Sequence, residues 1–390
     1  YRGGAGERGH PARRHGPPMT ILTAIALGLW AAVLVVPWQP WRCRERLEAE
    51  AEGAAASETD FTVLIPARNE ASVIGETLAA LAAAAPGAPV IVTDDESDDG
   101  TAGIVGASGL QNLILVAGTP PPPGWAGKLW ALEQGLARVH TQRVLLVDAD
   151  IRLAPGMIAA VQRKADEGYA LVSVLAEPCW RGLATRLLLP AFVYFFKLLY
   201  PFALANRPRG PIAAAAGGVI LVEREVLASI GGFAAWHDAI IDDCALAARV
   251  KRAGQRTFLG LSRGAQSLRQ QNLASIAAMV TRSAWVQLHE SPLLLLAATA
   301  LLVLAFWVPP AALAFAGVPR WLGVAACAAL AASYLPVLLY YRRNPLAAIL
   351  LPVVATAYLV LTWLSALRAA TGTRSAWKGR RYRRKVRDEP

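Results

Sequence analysis

Carboxylates gather at three places in a strongly apolar chain: Asp94-Asp95-Glu96-Ser97-Asp98-Asp99, Asp148-Ala149-Asp150 and Asp242-Asp243. Acids brought into one crevice repel one another unless a cation or a proton relieves them. A divalent metal that also holds a diphosphate would meet that need, because hard cations take oxygen ligands. In Asp148-Ala149-Asp150 the two acids stand two apart in a turn, so one can ligate a metal while the other reaches a second ligand or a sugar hydroxyl. Asp95 can accept hydrogen bonds from a base or ribose, as acids at strand ends do in other nucleotide-binding folds. In Asp242-Asp243 one acid can cap a helix while the other enters the crevice as a general base. Lys128, after Gly127 and at the opening of an amphipathic helix, can offer a phosphate its cation beside the helix-terminal amides. Each signal also has a plain structural reading: a solvated turn, an N-cap by Asp98 or Asp99, a surface lysine. The five histidines show no metal-ligand spacing. No Gly-x-Ser-x-Gly or Walker-type loop occurs, which disfavours a hydrolase triad or a P-loop nucleotidase.

The elements that must position these acids are legible. The apolar, β-branched runs 90–93 and 144–147 each end directly in carboxylates and read as buried strands. Ligands bind beyond the carboxyl ends of strands in an open parallel sheet, so the clusters converge on one crevice. Further strands are expected at 62–65, stopped by Pro66, and at 113–116, 171–175 and 219–222, with helices between them. Strand and helix in this alternation imply a parallel sheet with right-handed crossovers.

The composition says what the sheet is attached to. Over 390 residues, 55% hydrophobic content is too high for an ordinary soluble protein, while 17% charged residues is too many for a pure membrane bundle. Apolar stretches at about 20–36, 293–318, 321–341 and 346–367 are candidate spans. The expected organisation is a disordered leader (1–18), a transmembrane anchor (19–37), a linker (38–59), a globular domain (60–290), C-terminal membrane segments (291–368) and a basic tail (369–390). The run 187–205, interrupted by Pro190, Lys197 and Pro201, reads as an interfacial helix or a buried core helix. A net charge of +11 is concentrated in the tail, where a neighbouring membrane helix favours anionic lipid over nucleic acid as the partner. Arg42, Arg44 and Arg46 after the first span place the domain on the cytoplasmic side of the inner (plasma) membrane. The tail's basic residues favour the same side. Three full C-terminal crossings would put the tail opposite, so one segment is expected to be re-entrant, with the Pro309-Pro310 break marking the first as the candidate. Cys43, Cys179, Cys244 and Cys327 lack the spacing of a zinc site or a disulfide framework.

Taken in order, Ile65-Pro66-Ala67-Arg68-Asn69-Glu70, Asp94 to Thr101, Gly127-Lys128, Asp148-Ala149-Asp150, and Asp242-Asp243 with Leu246 and Arg249 resemble the family-2 inverting glycosyltransferases of the GT-A fold. With Trp125-Ala126-Gly127-Lys128-Leu129-Trp130-Ala131-Leu132 and Ser291-Pro292-Leu293 included, the whole chain is similar to the hopene-associated membrane glycosyltransferases of bacteria. The resemblance implies an α/β fold, a Rossmann-like, mostly parallel GT-A sheet flanked by transmembrane helices. It also implies that Arg68, Glu70 and Asp95 contact the nucleotide with Lys128 nearby, that Asp148 and Asp150 meet the donor and its Mg or Mn ion, and that Asp243 is the base. Many membrane members carry Gln-x-x-Arg-Trp near the end of the domain, whereas this chain has Thr281-Arg282-Ser283-Ala284-Trp285. That departure argues against a processive polysaccharide synthase. The implied activity is sugar transfer from a nucleotide-diphosphate sugar to a lipid, with a hopanoid as the preferred acceptor. A polyprenyl-phosphate glycosyltransferase and a catalytically silent nucleotide-binding scaffold stay open at this point.

Overall fold

The computed structural model describes residues 17–50, 60–371, 376–377 and 380–381. The expected leader up to residue 16, linker residues 51–59 and nearly all of the basic tail lie outside the described residues.

Eight strands form one sheet: β1 (Phe61–Ala67), β2 (Val90–Asp94), β3 (Leu113–Ala117), β4 (Arg143–Val147), β5 (Ile151–Leu153), β6 (Leu171–Glu177), β7 (Val219–Glu223) and β8 (Thr257–Ser267), in the order β3-β2-β1-β4-β7-β6-β8-β5. The first four pair in parallel. The sheet is mostly parallel, as expected, but mixed beyond them: β7 runs antiparallel to both neighbours and β5 is antiparallel to β8, while β6 and β8 pair in parallel. That reversal carries the amino end of β7 to the same edge as the carboxyl ends of β1, β2 and β4.

β1 also continues through Pro66 instead of stopping there. Val63 donates to Pro89 and Ala67 accepts from Asp95, so the bonds of these odd-numbered residues point to β2. The N–H that Pro66 lacks would point to β4, where pairing has already ended at Leu64 and Leu146.

The strands are apolar throughout because both faces are covered. Alternation divides them: Val63, Ile65, Val90, Val92, Leu145 and Val147 pack on one side, while Leu64, Ile91, Val144 and Leu146 pack on the other. The first side is covered by α2 (Ile74–Ala84) and α5 (Met157–Asp166), with α3 (Thr101–Gly106) between them in sequence, and the second by α4 (Gly127–Leu136) and α9 (Asp242–Arg252). α4 lies close to the sheet because Gly135 has no side chain: a Cβ there would stand 2.4 Å from Leu64 Cδ1 and 2.6 Å from Thr93 Oγ1.

A third apolar cluster joins Leu259 and Leu261 of β8 to α6 (Leu183–Leu199), α13 (Val318–Tyr340) and α14 (Leu351–Ala370). The expected interfacial helix is therefore two helices, α6 and the short α7 (Phe202–Ala205), and α6 is packed between the sheet and the apolar helices. The remaining helices are α1 (Pro17–Val35), α8 (Arg224–Ser229), α10 (Leu273–Gln287), α11 (Pro292–Leu302) and α12 (Val308–Ala312).

Among the described residues, four helical segments are long and apolar enough to cross a membrane: Pro18–Val35, Pro292–Ala312, Val318–Tyr340 and Pro345–Ala370. Many of their large apolar side chains, Leu293, Trp321 and Val353 among them, are left exposed, a surface that water would penalise and lipid would cover. Pro309-Pro310 does not break the second segment. A π-helical turn, Val303–Trp307, joins α11 to α12, and the prolines stand early in α12 where a missing N–H is tolerated.

Candidate active site

The carboxyl end of β4 delivers Asp148 and Asp150. Asp148 N donates to Gly218 O at the start of β7 (3.1 Å), and Ile151 N closes a turn on Asp148 O (3.0 Å). β5 then pairs with β8, and this pairing brings Ser267 and Arg269 to Asp150. Ser267 Oγ donates to Asp150 Oδ2 at 2.8 Å, and Arg269 Nε lies 3.3 Å from the same oxygen. Arg269 also spans to Glu70, its Nη2 lying 2.7 and 2.8 Å from the two carboxylate oxygens.

Lys128, in the first turn of α4, reaches Asp148 Oδ1 at 2.9 Å and Asp242 Oδ2 at 3.3 Å. Burial alone would lower its pKa, but Asp148 and Asp242 beside it hold the ammonium well above the ordinary lysine value. The repulsion expected among the acids is thus relieved largely by two cations of the chain itself, Lys128 and Arg269.

The open cleft, about 490 Å³, is lined by Glu70, Lys128, Asp148, Asp150, Asp242 and Arg269 together with one face of α10, where Ser275, Ala278, Met279 and Arg282 follow at helical spacing. Asp243 does not line this cleft. It lines an adjoining small cavity of about 10 Å³, roughly the room one water needs, with Lys128, Asp148, Asp242 and Gly217. A Cβ on Gly217 would lie 3.2 Å from Lys128 Nζ and 3.4 Å from Asp243 Oδ2, so this glycine leaves the room in which the charged groups meet. Asp243 Oδ1 accepts from Cys244 N at 2.7 Å, and burial, reinforced by Asp242, pushes its carboxyl up to about 6.

Five of the seven residues singled out in the sequence therefore come together: Glu70, Lys128, Asp148 and Asp150 in the cleft, and Asp243 in the cavity adjoining it. Arg68 and Asp95 form their own pair at the ends of β1 and β2. Asp95 is fully buried 3.5 Å from Arg68 Nη1, which also donates to the Asp95 carbonyl, and neither residue lines the cleft. Neither capping candidate is the N-cap of α3, which is Gly100; Asp99 instead accepts from Thr101 N at 3.0 Å and ties the turn to Ala71 N at 2.9 Å. Asp242, expected as a cap, instead binds Lys128 and faces the cleft.

Sequence reasoning missed Arg269 and Ser267. They follow a strand whose pairing with β5 no local pattern announces, and the one available signal was an arginine downstream of an eleven-residue strand, Thr257–Ser267.

Among the described residues no three His, Cys, Asp or Glu side chains form a ready metal cage. The residues do fit a Mg²⁺-like ion in its usual manner, one or two carboxylates with the remaining positions filled by phosphate oxygens and water. Asp150 keeps Oδ1 for such an ion while Oδ2 is held by Ser267 and Arg269, and Asp148 stands beside it in the same cleft.

Residues 59–286 match the family model for glycosyltransferase-like family 2. The chain belongs to that family. A mannosyltransferase from Pyrobaculum calidifontis, solved with GDP-Man and Mn²⁺, has the same fold as this glycosyltransferase: TM-score 0.57 at 20% identity, over 90% of this chain and 99% of that one. The mixed sheet is thus a GT-A sheet, as the resemblance implied. Two 4,4'-diaponeurosporenoate glycosyltransferases of Staphylococcus aureus are similar over shorter stretches. The strain USA300 protein is 37% identical over 91 residues, 23% of this chain and 24% of its own length. The bovine RF122 / ET3-1 protein is 28% identical over 133 residues, 34% of this chain and 32% of its own. The matched stretch thus spans 24% and 32% of these two curated relatives.

Proposed function

We propose that the glycosyltransferase moves a sugar from a nucleotide-diphosphate sugar to the hydroxyl of a membrane lipid, with a hopanoid as the preferred acceptor, at the cytoplasmic face of the inner (plasma) membrane. One observation carries this reading. Asp148 and Asp150 line one cleft, with Asp243 in the small cavity that shares Lys128 and Asp148 with it, and a wall of that cleft, α10, is bonded to an apolar helix: Ser365 Oγ of α14 donates to Thr281 O at 2.6 Å, and Trp285 N donates back to Ser365 Oγ at 3.1 Å. An acceptor that partitions into lipid would reach the cleft along that wall. The substrate named for the partial relatives, 4,4'-diaponeurosporenoate, supports a lipid acceptor.

In this reading the nucleotide lies toward Arg68, with Asp95 fixing the guanidinium from below and Glu70 closing the cleft side. The diphosphate lies against Lys128 at the amino end of α4, where cation and helix-terminal amides meet the charge that develops on the leaving group. Asp148 and Asp150 would hold the Mg or Mn ion, which supplies further stabilisation of that charge. Asp243 takes the proton from the acceptor hydroxyl as it attacks the anomeric carbon from the side opposite the diphosphate. A carboxylate with a pKa of about 6 suits a base working near neutral pH. The configuration inverts in a single displacement, and no covalent enzyme intermediate forms.

Lipid extracts from cells with and without an active copy, compared by mass spectrometry, should differ by one glycosylated lipid. Should that lipid prove to be a polyprenyl phosphate sugar, the hydroxyl acceptor is wrong. Donor binding with no glycosylated lipid in any extract would favour a silent scaffold.

A further inference from the structure

Away from the cleft, the turn that follows α13 meets the first turns of α6. Leu183, Arg186 and Leu187 line one side of a groove of about 400 Å³, and Arg342, Arg343 and Leu346 line the other. Trp180 organises two of the three guanidinium groups. Arg186 Nε donates to Trp180 O at 3.2 Å, while the Arg343 guanidinium lies 4.8 Å over the Trp180 ring and its Nε donates to Tyr341 O at 2.7 Å.

Each of these two arginines thus commits its Nε, and among the described residues no hydrogen bond ties down its terminal nitrogens. Among the described residues none of the three arginines forms an ion pair, although three like charges line one groove. The leucines beside them are open, Leu183 at 73% and Leu346 at 68% exposure.

The place of the groove in the chain says what fits it. Arg342 and Arg343 stand between Val318–Tyr340 and Pro345–Ala370, both long and apolar enough to cross a membrane. The groove therefore lies where apolar helices end, with cations at one level and aliphatic side chains beside them. Guanidinium forks match phosphate oxygens, and basic residues at a membrane boundary attract anionic headgroups.

We propose that this groove binds one anionic phospholipid, its phosphate held by Arg186, Arg342 and Arg343 and an acyl chain laid along Leu183, Leu187 and Leu346. Such a lipid would bridge α6 to the α13–α14 turn and fix the seating of the catalytic domain on its membrane helices. The site does not depend on which acceptor the enzyme uses.

The test is native mass spectrometry of the full-length protein in detergent, titrated with phosphatidylglycerol or with phosphatidylcholine of the same acyl chains. The wild type should retain phosphatidylglycerol in preference. The double variant Arg186→Gln/Arg343→Gln should bind it about twenty-fivefold more weakly, the product of roughly fivefold for each arginine near an anionic headgroup. Leu346→Glu, at an exposed position that does not endanger folding, should also repel the lipid, whereas Arg320→Gln near the other end of α13 should leave binding unchanged. Thermal melting checks that each variant is folded.

Equal retention of both lipids by the wild type overturns the proposal, as does undiminished phosphatidylglycerol binding in the double variant and in Leu346→Glu. Displacement of the lipid by inorganic phosphate would reassign the groove to free phosphate. Glycosylation of the retained lipid on addition of nucleotide sugar would make the groove an acceptor site, and either result also overturns it.

Discussion

At the scale of single residues, adjacent acids in one turn of α9 take different partners. Asp242 lines the open cleft and binds Lys128, while Asp243 lines the adjoining cavity, bonds Cys244 N and has a carboxyl pushed up to about 6 by burial and then by Asp242. If Asp243 is the base, Asp243→Asn should lower kcat by roughly a hundred- to ten-thousand-fold, with donor binding, measured by calorimetry, unchanged. Full transfer by that variant would remove Asp243 from the mechanism, and mild loss would favour a phosphate acceptor that needs no base. The base works deprotonated, so kcat/KM should fall as pH drops through about 6 and level off above it. Lys128, held protonated well above neutrality, should contribute no limb near neutral pH. Asp150→Ala should lose donor binding and the response to Mn²⁺ together, because the same carboxylate serves both. A variant that still binds donor with undiminished metal dependence would show that Asp150 only anchors Arg269.

At the scale of elements, the site depends on close packing at the sheet end. α4 carries Lys128 in its first turn and crosses the sheet at Gly135, where there is no room for a side chain. Gly135→Val should lift α4 from Leu64 and Thr93 and destabilise the fold by about 1–3 kcal/mol, a typical cost of overpacking. Its melting temperature should drop, and donor affinity should fall with it as Lys128 moves. Unchanged melting would mean that α4 shifts freely. The antiparallel β7 has a comparable role: by reversing direction it brings Gly217 and Gly218 to the edge where β4 ends, beside Asp148, Lys128 and Asp243.

At the scale of the whole molecule, the catalytic domain and the apolar helices share a core. α6 packs on Leu259 and Leu261 of β8 and also on α13 and α14, with Tyr194 Oη 2.6 Å from Ser333 Oγ and Tyr358 Oη donating to Leu188 O at 2.9 Å. The protein should therefore stay in the membrane fraction through high salt and alkaline carbonate and leave it only with detergent. Release by salt alone would contradict the reading of the exposed leucines as lipid-facing. Much of this was legible beforehand. The parallel half of the sheet, the four apolar segments and the acids at strand ends follow from local pattern, because burial on two faces, the length of an apolar run and the turn after a strand each leave a mark within a few neighbouring residues. The antiparallel β7, the β5–β8 pair, the grip of Arg269 on Glu70 and Asp150, and the different partners of Asp242 and Asp243 were decided only in the folded chain. Each of these depends on which distant segment comes alongside, Arg269 lying 119 residues from Asp150 and 199 from Glu70, and no short stretch of sequence holds that information.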